Sequence, residues 1–329
     1  MKRICIFDPY GGKFSDGMQK WWAEHGYEVE YQRYYNPQTA LWADILWFET
    51  CDNNLLSATK PSEALLADDA NFKPWDLHDM DLTNKKVIVR PIDIEVWQGH
   101  HNASRWDVVD DVIFIASHIQ GVANVHELPE RREDLRVHLI PHSVDLDKWT
   151  FKKRKPGFNI AVVSERWMSK GTSEILQIAL KLKQIDERYK ITWLGQRSDY
   201  PWEHEYRDEF VEHHKLNLEF VNIVDSVDEF LEDKNYLLHC SHKEAFSAAT
   251  AEAMAKGIKP VVHRFYGADD LWPGLTWSSI DEAIAMITGP DEEGTTSWYN
   301  SALYRQYLID QGYTLPQMME RIDKVIKGE

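Results

Sequence analysis

Residues Ser241–Val262 read SHKEAFSAATAEAMAKGIKPVV, and the fold turns on how this stretch is divided. Just before it, Tyr236–Cys240 (YLLHC) is an apolar run long enough for one buried strand. Ser247 stands where an N-cap opens a helix, and Gly257 where a C′ residue closes it. Lys259–Val262 then resumes an extended segment, with Pro260 near its start, where a missing N–H does least harm. The result is strand, loop, helix, strand, the repeat of a parallel α/β sheet. Glu244 falls in the loop and Glu252 in the helix, whose other positions are mainly Ala and Met. Such a helix packs tightly, so a carboxylate at Glu252 is costly without a partner. Taken alone, two acids eight positions apart in a chain with 54 Asp and Glu are ordinary surface charge.

The pattern does not stand alone. Glu-Ala-Phe-Ser, followed by Glu252-Ala-Met-Ala-Lys-Gly-x-x-Pro-Val-Val, resembles the E-x7-E signature of retaining glycosyltransferases of the GT-B fold, family 4 type. The resemblance is strong over residues 137–264 and looser over 1–136. It implies two Rossmann-like domains, doubly wound parallel sheets facing across a cleft that binds a nucleotide sugar. The expected boundaries are 1–150 for the acceptor-side domain, 151–310 for the donor domain, and 311–329 for a helix returning to the first.

Length and composition agree with this plan. At 329 residues the chain has room for two α/β domains, and at 43% hydrophobic content each can bury a core. A net charge of −17 argues against a general polyanion-binding surface, though not against a local basic groove. Cys5, Cys51 and Cys240 lie in or beside apolar segments without metal-like spacing and read as reduced core thiols. No run of eighteen apolar residues occurs, and Met1–Ile4 leads straight into a strand rather than a signal peptide, so the reading is a soluble, cytoplasmic protein without a transmembrane segment.

In chain order, Arg3–Phe7 reads as a strand followed by Asp8-Pro9-Tyr10-Gly11-Gly12 and a helix from Ser15 to His25. A strand–Gly-Gly–helix entry brings backbone N–H groups near an anion. The resemblance gives Gly11 and Gly12 the donor phosphates and the acceptor. Residues 44–48 form the next strand, residues 53–84 an excursion with a short helix at Ser62–Ala67, and Lys86–Arg90 another strand. Many relatives carry a His at the end of that strand; here Ile92 takes its place. Asp93 is then the acceptor-side catalytic candidate, with Glu95, His100 and His101 nearby. His142–Trp149 resembles the family's IPNGVD linker, and the basic run Lys152–Lys155 reads as the interdomain hinge.

The second half opens with a strand at Phe158–Val163, then Ser164–Gly171 (SERWMSKG) and a helix of 3.6 period through Ile175, Ile178, Ala179 and Leu182. Arg166 and Lys170 ahead of a helix N-terminus make an anion site. The resemblance assigns them the donor diphosphate, Glu252 the ribose hydroxyls and Glu244 the hydroxyls of the transferred sugar, and counts Ala245, Phe246 and Ser247 as donor-binding. The activity implied is retaining transfer from a nucleotide-diphosphate sugar, a UDP-sugar, to a hydroxyl acceptor. Cations of the protein take the place of a metal, since no Asp-x-Asp motif stands out, and no cofactor is implied. The acceptor classes are a glycan, lipid-linked or small molecule, or a hydroxymethylated DNA base contacted through Lys152–Lys155. A nucleotide-sugar binder without catalysis is the reading from another class, favoured by Ile92 and opposed by the intact Arg166, Lys170, Glu244 and Glu252.

Overall fold

The computed structural model describes residues 1–12, 15–51, 53–59, 81–82, 84–124, 127–128, 131–289 and 300–329. The chain forms two compact units, Met1–His142 with Leu315–Glu329, and Ser143–Thr314. Residues 143–150 belong to the second unit for physical reasons. Val144 bridges to Thr314, and Arg305 donates to the carbonyls of Leu146 and Trp149. The divisions therefore fall a few residues away from 150/151 and 310/311.

The first unit is built on six parallel strands: β1 (Arg3–Phe7), β2 (Glu28–Gln32), β3 (Ile45–Phe48), β4 (Lys86–Val89), β5 (Asp111–Phe114) and β6 (Arg136–Leu139). Their order is β2-β1-β3-β4-β5-β6, every neighbouring pair parallel. Strands covered on both faces need apolar side chains on both, as in Ile45–Phe48, where all four residues are buried. The helix Leu315–Lys327 packs Met318, Met319, Ile322, Val325 and Ile326 into this unit's core with Trp22, Trp47 and Ile88. A helix at Asn53–Thr59 and another at Pro37–Trp42 add to the sequence reading. The latter opens on Asn36, whose side chain accepts from the amides of Gln38 and Thr39. The expected helix at Ser62–Ala67 lies outside the described residues.

The second unit repeats the plan with β7 (Asn159–Val163), β8 (Lys190–Leu194), β9 (Leu218–Val221), β10 (Tyr236–His239), β11 (Lys259–His263) and β12 (Thr276–Trp277). Here the order is β12-β11-β10-β7-β8-β9, again all parallel. The chain winds outward from β7 to β9, then returns to the other side of β7 and winds away through β12. The reversal lies between β7 and β10, the position where open parallel sheets bind their ligands. All three cysteines are buried free thiols, and burial pushes Cys5 up to about 12 and Cys240 well above its usual value. No helix among the described residues is long and apolar enough to cross a membrane.

One buried ion pair marks the end of β3 and β4. Arg90 and Glu49 are each at most 1% exposed, with Arg90 Nε 2.8 Å from Glu49 Oε1 and Trp47 Nε1 2.6 Å from Glu49 Oε2. Breaking such a pair from one side strands a buried charge. Glu49→Met and Arg90→Met are each expected to destabilise the protein by about 3–5 kcal/mol, while the double replacement recovers most of that loss. Urea unfolding of the three variants checks this, and additive single effects would contradict it.

Candidate active site

The site is assembled from two loops that flank the sheet reversal. One follows β7 and ends in the short turn Met168–Lys170 and Gly171; the other follows β10 and runs from Cys240 to Ser247. They approach so closely that a Cβ on Gly171, where φ is +80°, would sit 2.2 Å from the Cys240 carbonyl oxygen. Only glycine fits there, on both counts. The amide of His242 donates to the Ser169 carbonyl at 3.0 Å and ties the loops together.

That approach brings Lys170 and Glu244 into contact, 74 residues apart in sequence. Lys170 Nζ lies 2.6 Å from Glu244 Oε1, with side chains 24% and 18% exposed. Burial alone would raise the Glu244 pKa, but His239 and the Lys170 ammonium outweigh it and hold the carboxyl well below the usual carboxylate range. Glu244 is therefore an anion throughout the neutral range, and Lys170 is its counter-ion. The Nε2 of His239 lies 3.6 Å from the same Oε1, beyond hydrogen-bond length.

Downstream, the helix spans Ala248–Ala255, with Gly257 at φ +78° just beyond its end. Ser247 holds the N-cap position but not the N-cap bond. Its backbone is left-handed, at φ 62°, and its hydroxyl pairs with Thr250 Oγ1 at 2.8 Å. A non-glycine residue in that region is sparsely populated and collects at functional sites. Glu252 is half-buried, as are Ala248 and Ala249, four and three residues before it. Those spacings put all three on one helix face, so the open stripe of this helix carries small side chains and one carboxylate. Ala245 and Phe246 are buried, and Phe246 packs 5.3 Å from Trp272 and edge-on to Tyr313 at 5.1 Å. The Phe246 ring is thus a core element.

Arg166 lies in the same loop as Lys170 but points elsewhere. It is 4% exposed, donates to Asn222 Oδ1 and stacks 5.3 Å over the Phe220 ring, which Arg207 also covers at 4.5 Å. Burial, with Arg207 and Arg197 nearby, lowers its pKa. Lys170 and Arg166 thus have different partners here. Two of the four residues of the basic run are engaged within the protein, while Lys153 and Lys155 are exposed. Lys152 pairs with Glu232 at 2.8 Å, while Arg154 is 9% exposed and donates to the carbonyls of Lys256, Glu232 and Lys234.

In the first unit, Gly11 and Gly12 both have left-handed backbones, φ +74° and +86°, in a turn held by Asp8, whose carboxylate accepts from the Tyr10 amide and the Ser15 hydroxyl. Asp93 stands at the N-cap of the turn Ile94–Trp97, its amide donating to Glu95 Oε2 at 3.2 Å. Ile92 is buried and donates its amide to Glu95 Oε1 at 2.5 Å. His101 is buried as well, and burial lowers its pKa, so it is neutral at pH 7.

Residues 145–272, which span both loops and the Glu244–Glu252 segment, match the family Glycosyl transferases group 1. The solved structures agree in fold. HepE from Anabaena, in complex with UDP-glucose, aligns over 100% of both chains with a TM-score of 0.71 at 13% identity. A UDP-forming α,α-trehalose-phosphate synthase from Burkholderia xenovorans aligns over 98% of both at 0.68 and 13%. TarM from S. aureus, in complex with fondaparinux, α-GlcNAc-glycerol and UDP, aligns over 84% of this chain at 0.60 and 12%. The present chain covers 54% of TarM, about half its length. Two six-stranded parallel sheets with flanking helices are the α/β fold of the GT-B glycosyltransferases. No curated protein matches the sequence.

Around the Lys170–Glu244 pair lie His239, His242 and His263. His239 ends β10. His242 lies 3.2 Å from Glu174, and His263 Nδ1 donates to the Ser241 carbonyl at 3.1 Å. His239 is the one imidazole in YLLHC, but a strand-end His looks like any other core residue. No group of three or more His, Cys, Asp and Glu side chains among the described residues could hold a metal ion.

The loop contact is testable at Gly171. Gly171→Ala forces a left-handed Ala against the Cys240 carbonyl, so it is expected to destabilise the protein by about 1–3 kcal/mol. Unchanged melting in thermal unfolding would show that the loops do not need this close approach.

Proposed function

We propose that the protein is a retaining glycosyltransferase that moves a sugar from a UDP-sugar to a hydroxyl of a glycan, lipid-linked or small-molecule acceptor. The observation that carries this reading is the Lys170–Glu244 pair at the sheet reversal, with Glu252 on the open face of the helix that follows. The group 1 match over the same residues supports it, as do the UDP and UDP-glucose named in complex with the fold's neighbours HepE and TarM.

The chemistry follows from charge. As the bond between the sugar's anomeric carbon and the diphosphate lengthens, negative charge collects on the phosphate oxygens and positive charge on the ring. An ammonium already in place stabilises the departing anion without reorganisation, the largest single effect in many such reactions. Lys170 supplies it, with Arg166 joining only on leaving Asn222 and Phe220. The acceptor hydroxyl attacks on the face the diphosphate leaves, so configuration is retained, and its proton passes to the departing phosphate oxygen. Glu252 takes the ribose hydroxyls, while Glu244, with the backbone of Ala245, Phe246 and Ser247, takes the transferred sugar. No metal is required, since Lys170 acts in its place. Lys152 and Arg154, two of the four basic residues of the run, are engaged within the protein, and none of the named neighbours is in complex with DNA.

Two measurements test the assignment. UDP and UDP-sugars are expected to raise the melting temperature equally with and without chelator; stabilisation that depends on Mg²⁺ or Mn²⁺ would contradict the role of Lys170. Glu252→Gln should weaken free UDP and UDP-sugar alike, by about 1.5–3 kcal/mol or roughly tenfold to hundredfold. Glu244→Gln should leave free UDP binding nearly unchanged and lower donor affinity, turnover or both. Equal, small effects of the two changes in calorimetry and donor hydrolysis would dismiss the assignment.

A further inference from the structure

Arg166 is buried without an acid. Its side chain donates to the neutral Asn222, just past β9, and its Nε has no partner. Among the described residues it forms no ion pair. The carboxylate whose charge acts on it is Asp208, and Asp208 is already taken, 2.8 Å from Arg207 and 3.9 Å from Arg197. A guanidinium this far from water normally has a carboxylate or a phosphate in its fork.

Two further cations crowd the same place. Arg207, on the helix Pro201–His214, is 2% exposed, and its Nη1 has no partner. Its guanidinium carbon lies 4.5 Å from the centre of the Phe220 ring, against 5.3 Å for Arg166. The two carbons are therefore within about 10 Å of each other, a range at which salt screens buried charges little. Arg197 comes from the loop after β8, where its backbone bridges to that of Arg166. Glu203, buried one helical turn before Arg207, forms no ion pair with any of the three among the described residues. Each like charge makes the resting place of Arg166 less favourable, and an anion elsewhere makes leaving it more so.

We propose that Arg207 is a positioning residue whose charge loosens Arg166 from Phe220 and Asn222, so that Arg166 moves to the diphosphate when a nucleotide sugar binds. This rests on the donor reading above. Arg207 itself does not touch the donor. It stays on the Phe220 ring, held by Asp208, and covers that ring alone once Arg166 has left. The measured affinity of a donor falls with the share of molecules in which Arg166 remains at rest, so a group that raises the energy of the resting state tightens binding from a distance. Arg207 has this role rather than Arg197 because the Arg197 side chain is 58% exposed, where water and salt weaken its field.

A double-mutant cycle with UDP-glucose separates this role from a structural one. Arg207→Met keeps an unbranched side chain over Phe220 and removes the charge, and it is expected to weaken UDP-glucose about threefold to tenfold in calorimetry. In an Arg166→Met background nothing is left to release, so the same change should alter affinity less than about twofold. Arg207→Lys keeps the charge and should keep most of the affinity. Asp208→Asn acts in the opposite direction. It takes the counter-charge from Arg207 and should tighten UDP-glucose about twofold to threefold, again only where Arg166 is present. Asp208 is half exposed, so this variant carries the test if Arg207→Met does not fold.

Equal losses from Arg207→Met in both backgrounds would mean that Arg207 acts on the donor directly or through the fold, and overturn the inference. Unchanged affinity in Arg207→Met, or weaker binding in Asp208→Asn, overturns it too. Those failures leave the donor reading standing. Absence of binding by UDP-, GDP- and ADP-glucose to the unaltered protein overturns the donor reading and the inference together.

Discussion

The 2.6 Å contact between Lys170 and Glu244 is the constraint around which the second unit is arranged. It exists because two loops from opposite sides of a sheet reversal meet, and they meet because Gly171 has no side chain to hold them apart. A parallel sheet supplies the reversal at no extra cost: β7 and β10 are neighbours in space while β8 and β9 intervene in sequence. One cation and one anion, each too buried to be indifferent to its partner, then fix the geometry of the loop ends more sharply than backbone bonds alone. A ligand that competes for either charge changes the state of both.

The sheet plan and much of this arrangement could be read from the chain. Short apolar runs such as Ile45–Phe48 and Tyr236–His239 announce buried strands because both faces are covered, and Gly257 announces a helix end because it alone adopts the left-handed backbone cheaply. Glu244 and Glu252 stand out through the resemblance of their whole segment to the E-x7-E signature, not through spacing alone. What remained hidden depends on where side chains point after folding. Arg166 and Lys170 are four residues apart, yet one lies against Phe220 and the other against Glu244. Phe246 sits inside the motif but fills a gap beside Trp272 and Tyr313, which come from elements far along the chain. His239 needed the position of Glu244 before its own burial meant anything.

The first unit meets the same problem with a different pair. Arg90 and Glu49, almost wholly buried at the ends of β4 and β3, satisfy each other with help from Trp47. Lys170 and Glu244 keep about a fifth of their side-chain surface exposed. The contrast is instructive. A pair sealed from solvent on all sides can only stabilise or destabilise its unit, whereas a pair open on one side can exchange partners.

The helix Leu315–Lys327 has a consequence for how the protein is made. The second unit is one continuous stretch, residues 143–314, and holds everything it needs once that stretch has emerged from the ribosome. The first unit does not, because Met318, Met319, Ile322, Val325 and Ile326 belong to its core. During synthesis its six strands emerge early and stay incompletely covered while more than 170 later residues are added. The usual order of domain folding along a nascent chain is thereby reversed. The half of the protein that is translated first is the half that finishes last, and its exposed apolar surface in that interval is what chaperones would recognise.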